Sequence, residues 1–264
     1  MSISLRTVRA TRYVTPLREG GSMPAIVEAD DDGTYVLKFR GAGQGQRALI
    51  AELVVGEIGR ALGLKVPELV FIDLDPVLGR AEPDSEIRHL LKTSAGLNLA
   101  LDYLPGSITY DPLITRPVDK NPGLASKIVW LDAFCTNVDR TPRNTNLLIW
   151  HRELWLIDHG AALYFHHSWD NYLERSRDSF KAIKDHVLLP LASELEQVDA
   201  ESAAILTPAL LEEIVGLIPD QWLGDVPEFA EVAEHRGAYL AYLQARLEAP
   251  RAFAKEAQDA RMHL

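Results

Sequence analysis

The sequence predicts an α+β fold in two lobes: a small β-rich N-terminal lobe with one main helix, and a larger, mostly helical C-terminal lobe. Three observations predict it. Up to about residue 105, short apolar runs alternate with Gly-, Asp- and Pro-containing turns, interrupted by one helical stretch. From about residue 168 to the end, apolar residues recur at i, i+3 and i+4. Between the two halves, residues 137–160 hold a single pair of short apolar runs joined by a tight polar turn. The expected hinge lies at residues 102–106, which gives lobes of residues 1–105 and 106–264.

Taken in order, residues 3–40 read as antiparallel strands. A glycine-containing turn (residues 17–24) precedes Ala25-Ile-Val-Glu-Ala, and the Asp30-Asp-Asp-Gly33 turn precedes Thr34-Tyr-Val-Leu-Lys-Phe39. Gly41-Ala-Gly-Gln-Gly45 is a flexible connector. Leu49, Ile50, Leu53, Val54, Ile58 and Leu62 then recur at helical spacing until Gly63. Residues 66–74 read as a strand, 84–89 as a turn or short loop, and 97–104 as a strand closed by Pro105-Gly106. A helix is expected over 124–136. In the central pair, strands 146–150 and 154–157 flank a three-residue turn, His151-Arg152-Glu153. Helices are expected over 179–191, 207–217 and 227–247, with Thr207-Pro208 supplying a cap and a first-turn proline.

Composition narrows the function. With 264 residues, 47% hydrophobic and 25% charged, the chain can bury a sizeable core. A net charge of -11 argues against a nucleic-acid partner, which needs a basic face. Cys135 is the lone cysteine, so no internal disulfide forms, and a reducing compartment is expected. The N-terminus lacks the apolar core of a signal peptide, and no window reaches the roughly 18 apolar residues that span a bilayer. No basic amphipathic surface reads as a membrane contact. A cytoplasmic protein without a membrane partner is the expectation.

Chemistry concentrates where the central hairpin opens. Folding about its turn brings Asn144 to Asp158, with Asp139 just upstream. Two carboxylates and a carboxamide at a strand end suit Mg²⁺, a hard cation that tolerates few protein ligands. Asp-x-x-x-x-Asn followed by two strands and Asp-x-Gly matches the working parts of phosphoryl transfer: Asp139 accepts or orients a hydroxyl proton, and Asn144 and Asp158 hold the metal. Asn146 rivals Asn144, but the five-residue step from Asp139 favours Asn144. Upstream, Lys38 sits on an apolar strand that alternates poorly. Burial there requires an anionic partner, and Glu52 is the natural one, with Glu57 second. In that role Lys38 would hold nucleotide phosphates. Gly20, Gly21 and Ser22 lie in the turn ahead of Lys38, where a phosphate-covering loop belongs. His159 reads as structural. His166 and His167, adjacent on an extended segment, point to opposite faces and make a poor metal pair. Trp222, Phe229, Tyr239 and Tyr242 fit helical packing.

Asn137-Val-Asp-Arg-Thr-Pro-Arg-Asn144 together with Leu156-Ile-Asp-His-Gly160 resembles the HipA-like kinases and their relatives, the phosphoinositide kinases. In those families an Asp-Arg-x-x-x-Asn loop precedes an Ile-Asp-x-Gly motif. The helix carrying Glu52 and ending in Leu62-Gly-Leu-Lys-Val-Pro67 is similar to the glutamate helix and Leu-Gly-x-x-Val-Pro turn of HipA-like proteins. This resemblance, over roughly residues 15–165, implies a bilobal, protein-kinase-like fold. It also implies ATP and Mg²⁺, with transfer of the γ-phosphate to a hydroxyl of a protein Ser/Thr or a small molecule. By it, Asp139 is the base, Asn144 and Asp158 are the metal ligands, and Lys38 contacts phosphate. Backbone groups of Asp102, Tyr103 and Leu104 hold adenine. The alternative is a catalytically weak, nucleotide-binding pseudokinase that acts as a regulatory interaction module.

Overall fold

Strand β1 (Thr7–Pro16) runs antiparallel to β2 (Ala25–Ala29), and β2 to β3 (Thr34–Lys38). The computed structural model describes residues 3–17, 23–80, 82–114, 121–224 and 226–264. The expected phosphate loop at Gly20, Gly21 and Ser22 lies outside the described residues. Contrary to the sequence reading, β3 alternates cleanly, with Tyr35 and Leu37 buried and Thr34, Val36 and Lys38 half-buried. Helix α1 (Gln46–Ala61) follows, then β4 (Leu69–Leu74), α2 (Ser85–Thr93) and β5 (Gly96–Asp102). The strands close into a barrel in the order β1-β2-β3-β5-β4, sealed by parallel pairing of β4 with β1. Among the described residues, closure leaves this sheet without an edge strand. Val27, Leu37, Val70, Ile72 and Ala100 fill the interior.

Residues 84–89, expected as a loop, instead open helix α2. Asp84 caps it by accepting from the backbone N–H groups of Glu86 and Ile87. Ile87, Leu90 and Leu91 lie at helical spacing and bury in the barrel core. Helix α1 does not behave as a surface helix: an unbroken run from Leu49 to Gly59 is buried, as expected of a helix with packing on every side. It shares its core with the C-terminal helices rather than with the barrel interior. It also lies close on β4, since a Cβ at Gly56 would sit 2.8 Å from Leu69 Cδ1. Gly63, at φ +76°, takes the left-handed conformation that ends this helix.

The second sheet has the order β6 (Ile108–Thr109), β7 (Leu147–Trp150), β8 (Glu153–Leu156). The β7–β8 turn is two residues long, not three. His151 and Arg152 both have positive φ, as a type I′ turn requires, and Glu153 pairs with Trp150. Leu156 N–H donates to the Lys65 carbonyl, which ties the hairpin to the turn after α1.

Helix α3 (Pro122–Phe134), capped by Asn121, is the other centrally buried helix. α5 (Leu195–Ile205) and α8 (Ala252–Met262) pack on it, while α6 (Pro208–Gly216) lies against α1 and α7 (Val232–Leu247), and α4 (Tyr172–Arg175) against α7. The expected Thr207 cap forms, its side chain accepting from Leu210 N–H. Residues 179–191 are not a helix but two 3₁₀ turns, Lys181–Asp185 and Leu189–Leu191. Pro190 removes a donor there, and His186 between the turns is drawn inward. The His166-His167 segment is also a 3₁₀ turn (Tyr164–His167) rather than extended, with the two rings 4.6 Å apart. Tyr239 and Tyr242 stack around Phe165, so those aromatics are core. No helix among the described residues is long and apolar enough to cross a membrane.

Candidate active site

β3 ends at Lys38, which alternation puts on the face opposite the buried Tyr35 and Leu37, and its side chain reaches the end of the hairpin at Asp158. Its Nζ lies 2.7 Å from Asp158 Oδ1 and 3.6 Å from Glu52 Oε2. The expected Lys38–Glu52 pair therefore forms, and Asp158 joins it. Glu57, the second candidate, turns elsewhere and meets Arg60 at 3.4 Å. Burial alone would lower the Lys38 ammonium, but Glu52 and Asp158 outweigh it and hold it above its ordinary value. Burial would raise the Asp158 carboxyl, and Lys38 draws it below the usual carboxylate range. Burial pushes the Glu52 carboxyl up, against the pull of Lys38. Glu52 Oε2 also accepts from His159 N–H, which fixes the residue after Asp158 to α1.

The hairpin brings Asn144 and Asp158 to the same cavity walls, as its folding predicted. Asn144 Nδ2 donates to Asp139 Oδ2 at 2.8 Å, and Asn146 Nδ2 reaches the same oxygen at 3.3 Å. Both asparagines therefore stand at Asp139. Asn146 (φ +48°) and Asp158 (φ +55°) occupy the left-handed region. Asn and Asp tolerate it better than other non-glycine residues, and such strain gathers at working sites.

Lys38, Asn144 and Asp158 separate two cavities. One, of about 310 Å³, runs under Leu101, Asp102, Tyr103 and Leu104. The other, of about 540 Å³, is lined by Glu52, Val138, Asp139 and Tyr164. Asp139 faces only the second, and the residues 101–104 only the first. Asp102 N–H donates to the Glu68 carbonyl and Tyr103 N–H to the Thr34 carbonyl, which holds this short stretch in place. Among the described residues, no three His, Cys, Asp or Glu side chains converge as a metal cage. Mg²⁺ that keeps water and phosphate ligands needs only one or two protein oxygens. Asp158 and Asn144 present hard oxygen donors on a shared wall, so the donor set fits.

Sequence reasoning missed the buried polar layer behind these groups. Asp132 on α3 accepts from Arg140 Nε (2.6 Å), His186 Nε2 (2.9 Å) and Asn137 Nδ2 (2.9 Å). Burial alone would raise its carboxyl, but Arg140 and His186 hold it far below the usual range. A charged residue inside Val129-Trp-Leu-Asp-Ala-Phe-Cys135 was the available signal. His159 is wholly buried and pushed down to about 3 by burial and Arg140. Burial likewise takes His235 down to about 4 and lowers His166 and His186.

These four imidazoles take up a proton less readily in the folded chain than an unfolded histidine, which titrates near 6.5. As pH falls below about 6.5, the unfolded state takes up protons that the folded state refuses. Stability is thus full above that value and declines toward acid, with the fully buried His159 contributing up to about 1.4 kcal/mol per pH unit. Denaturant midpoints at pH 7.5 and pH 5.5 check this. A midpoint unchanged between them would contradict the lowered proton affinity of these rings.

Comparison with known proteins places the chain. The crystal structure of a Helicobacter pylori proinflammatory kinase, CtkA, superimposes with a TM-score of 0.54 at 12% identity, over 98% of this chain and 99% of that one. That likeness shows a common fold. The Golgi casein kinase with Mn and ADP bound gives a TM-score of 0.49 at 14% identity, over 94% of this chain and 75% of the other. A search of curated protein sequences finds no significant match. A family model described as HipA-like kinase matches residues 11–251, and by that match the chain belongs to the HipA-like kinase family.

Proposed function

We propose that this chain is an ATP- and Mg²⁺-dependent phosphotransferase that moves the γ-phosphate to a hydroxyl of a protein or a small molecule. The observation that carries it is the meeting of Lys38, Glu52 and Asp158 at one point, with Asn144 and Asp139 beside them. In this reading the barrel half (1–105) and the helical half (106–264) are two lobes, with the nucleotide between them. Adenine enters the 310 Å³ cavity and meets backbone groups of Asp102, Tyr103 and Leu104. Lys38, held by Glu52, contacts the phosphates. Asp158 and Asn144 would hold Mg²⁺, which neutralises charge building on the transferred group. Asp139, on the far wall, orients the acceptor hydroxyl and takes its proton as the new P–O bond forms and the bond to ADP breaks. The 540 Å³ cavity is the acceptor's side.

The test is the purified chain with labelled ATP and Mg²⁺, alongside Lys38→Met. Wild type should turn ATP over, and the variant should lose at least about tenfold in kcat/KM, as a hydrogen bond to a charged group contributes about 1.5–3 kcal/mol. ATP-dependent thermal stabilisation without any turnover would favour a pseudokinase. The absence of both stabilisation and turnover would overturn the nucleotide reading.

A further inference from the structure

Arg140 follows the proposed base, yet its side chain is fully buried and lines neither cavity. Whatever it does for the reaction must pass through other residues. Its fork reaches four groups. Nε donates to Asp132 Oδ2 at 2.6 Å. Nη1 donates to the carbonyls of Asn146 and Ile157, the latter at 3.4 Å. Nη2 lies 3.2 Å from His159 Nδ1. Asn146 and Ile157 are also joined to each other, Ile157 N–H donating to the Asn146 carbonyl, so Arg140 grips the hairpin where it opens and closes. The proposed metal ligands stand beside that grip: Asn144 two residues before Asn146, and Asp158 between Ile157 and His159. The other oxygen of Asp132 takes Asn137 Nδ2, and Asn137 Oδ1 accepts from Asp139 N–H.

We infer that Arg140, anchored on Asp132, is a positioning residue that sets Asp158 and Asn144 against Asp139; this rests on the phosphotransfer reading above. A planar guanidinium reaches all four partners at once. Lysine, a compact charge on a flexible stem, reaches one or two. Outer-shell groups of this kind typically govern metal affinity and turnover by about 10- to 100-fold. His159 extends the same grip to α1, because its own N–H is held by Glu52, the partner of Lys38.

The experiment uses the whole chain, with Mn²⁺ as probe. Mn²⁺ affinity in the presence of ADP is read by electron paramagnetic resonance, beside Tm, kcat and ADP affinity without metal. Arg140→Lys should stay folded and bind ADP alone as wild type does, while losing about 10- to 100-fold in Mn²⁺ affinity and in kcat. A folded variant with wild-type Mn²⁺ affinity and turnover would make Arg140 a merely structural buried cation and overturn the inference. If Arg140→Lys does not fold, His159→Leu and His159→Asn decide. Leucine removes the acceptor facing Nη2, and asparagine supplies one. Lost Mn²⁺ affinity in the first and recovery in the second support the grip; equal behaviour of the two overturns it. A wild type that neither binds Mn²⁺ with ADP nor turns over ATP defeats the phosphotransfer reading itself. A competent wild type matched by Arg140→Lys defeats only this inference.

Discussion

On the proposed phosphotransfer reading, replacing Asp139 by asparagine should lower turnover by about 10²- to 10⁴-fold, the usual weight of a positioned general base, and should leave nucleotide affinity nearly unchanged. The two cavities explain the split. Asp139 faces only the larger one, whereas the stretch from Leu101 to Leu104 faces only the other. The loop should survive the change, since Asp139 N–H is held by Asn137 Oδ1 through the backbone. Asn144 Nδ2 and Asn146 Nδ2, which now donate to Asp139 Oδ2, would still find an oxygen if the new carboxamide turns it toward them. What is lost is the capacity to take a proton. Labelled-ATP turnover and calorimetric titration with ADP, measured on the same preparation, check both halves. Wild-type turnover in this variant removes Asp139 from the chemistry. A large loss of ADP affinity instead moves Asp139 to the binding side.

The residues that face the cavities were legible because their chemistry shows in one dimension. A lysine ending an apolar strand, a glutamate in an apolar helix, and a hairpin that returns Asn144 to Asp158 each restrict the fold, and the structure joins Lys38, Glu52 and Asp158 within hydrogen-bonding or ion-pair distance. Glu57 shows the limit. It stands on the same helix five residues later, carries the same charge, and meets Arg60 rather than Lys38. Helical spacing alone did not say which of the two would face the barrel's end.

Local pattern also failed where a long-range partner decided the local structure. Residues 179–191 have helical periodicity, but His186 must turn in to Asp132, 54 residues earlier, and Val187 N–H bonds to the Arg140 carbonyl. Two 3₁₀ turns satisfy those contacts; a continuous helix does not appear. Helix α2 went unseen for the opposite reason. It is nine residues long, too short for periodicity to stand out, and its cap at Asp84 also reads as a turn aspartate.

The same hidden layer carries the largest expected loss of stability. Asp132→Asn should destabilise the chain by about 3–5 kcal/mol, because it removes one charge of a buried pair and leaves the other uncompensated. At this chain length that corresponds to a fall in Tm of roughly 6–20 °C. Both Arg140 and Asp132 side chains are fully buried, and no solvent is at hand to take over the guanidinium. The carboxamide cannot repair the site. Asp132 uses Oδ2 to accept from both Arg140 and His186, and Oδ1 to accept from Asn137. Whichever way an asparagine turns, its NH₂ faces a donor, and either Asn137 or both Arg140 and His186 are left unpaired. The pH dependence carries the matching sign. The Asp132 carboxyl is held far below its ordinary value, so its contribution is complete above about pH 4 and is lost only as pH falls toward the folded value, a window below that of the histidines. Glu248→Gln, at the exposed pair with Arg177, supplies the contrast: two charges in water give little, and thermal unfolding should not distinguish it from wild type. If Asp132→Asn melts with Glu248→Gln at the wild-type temperature, burial of the Asp132–Arg140 pair contributes nothing to holding α3 against the hairpin, and the positional order of the site must come from the apolar packing of α1 and α3 instead.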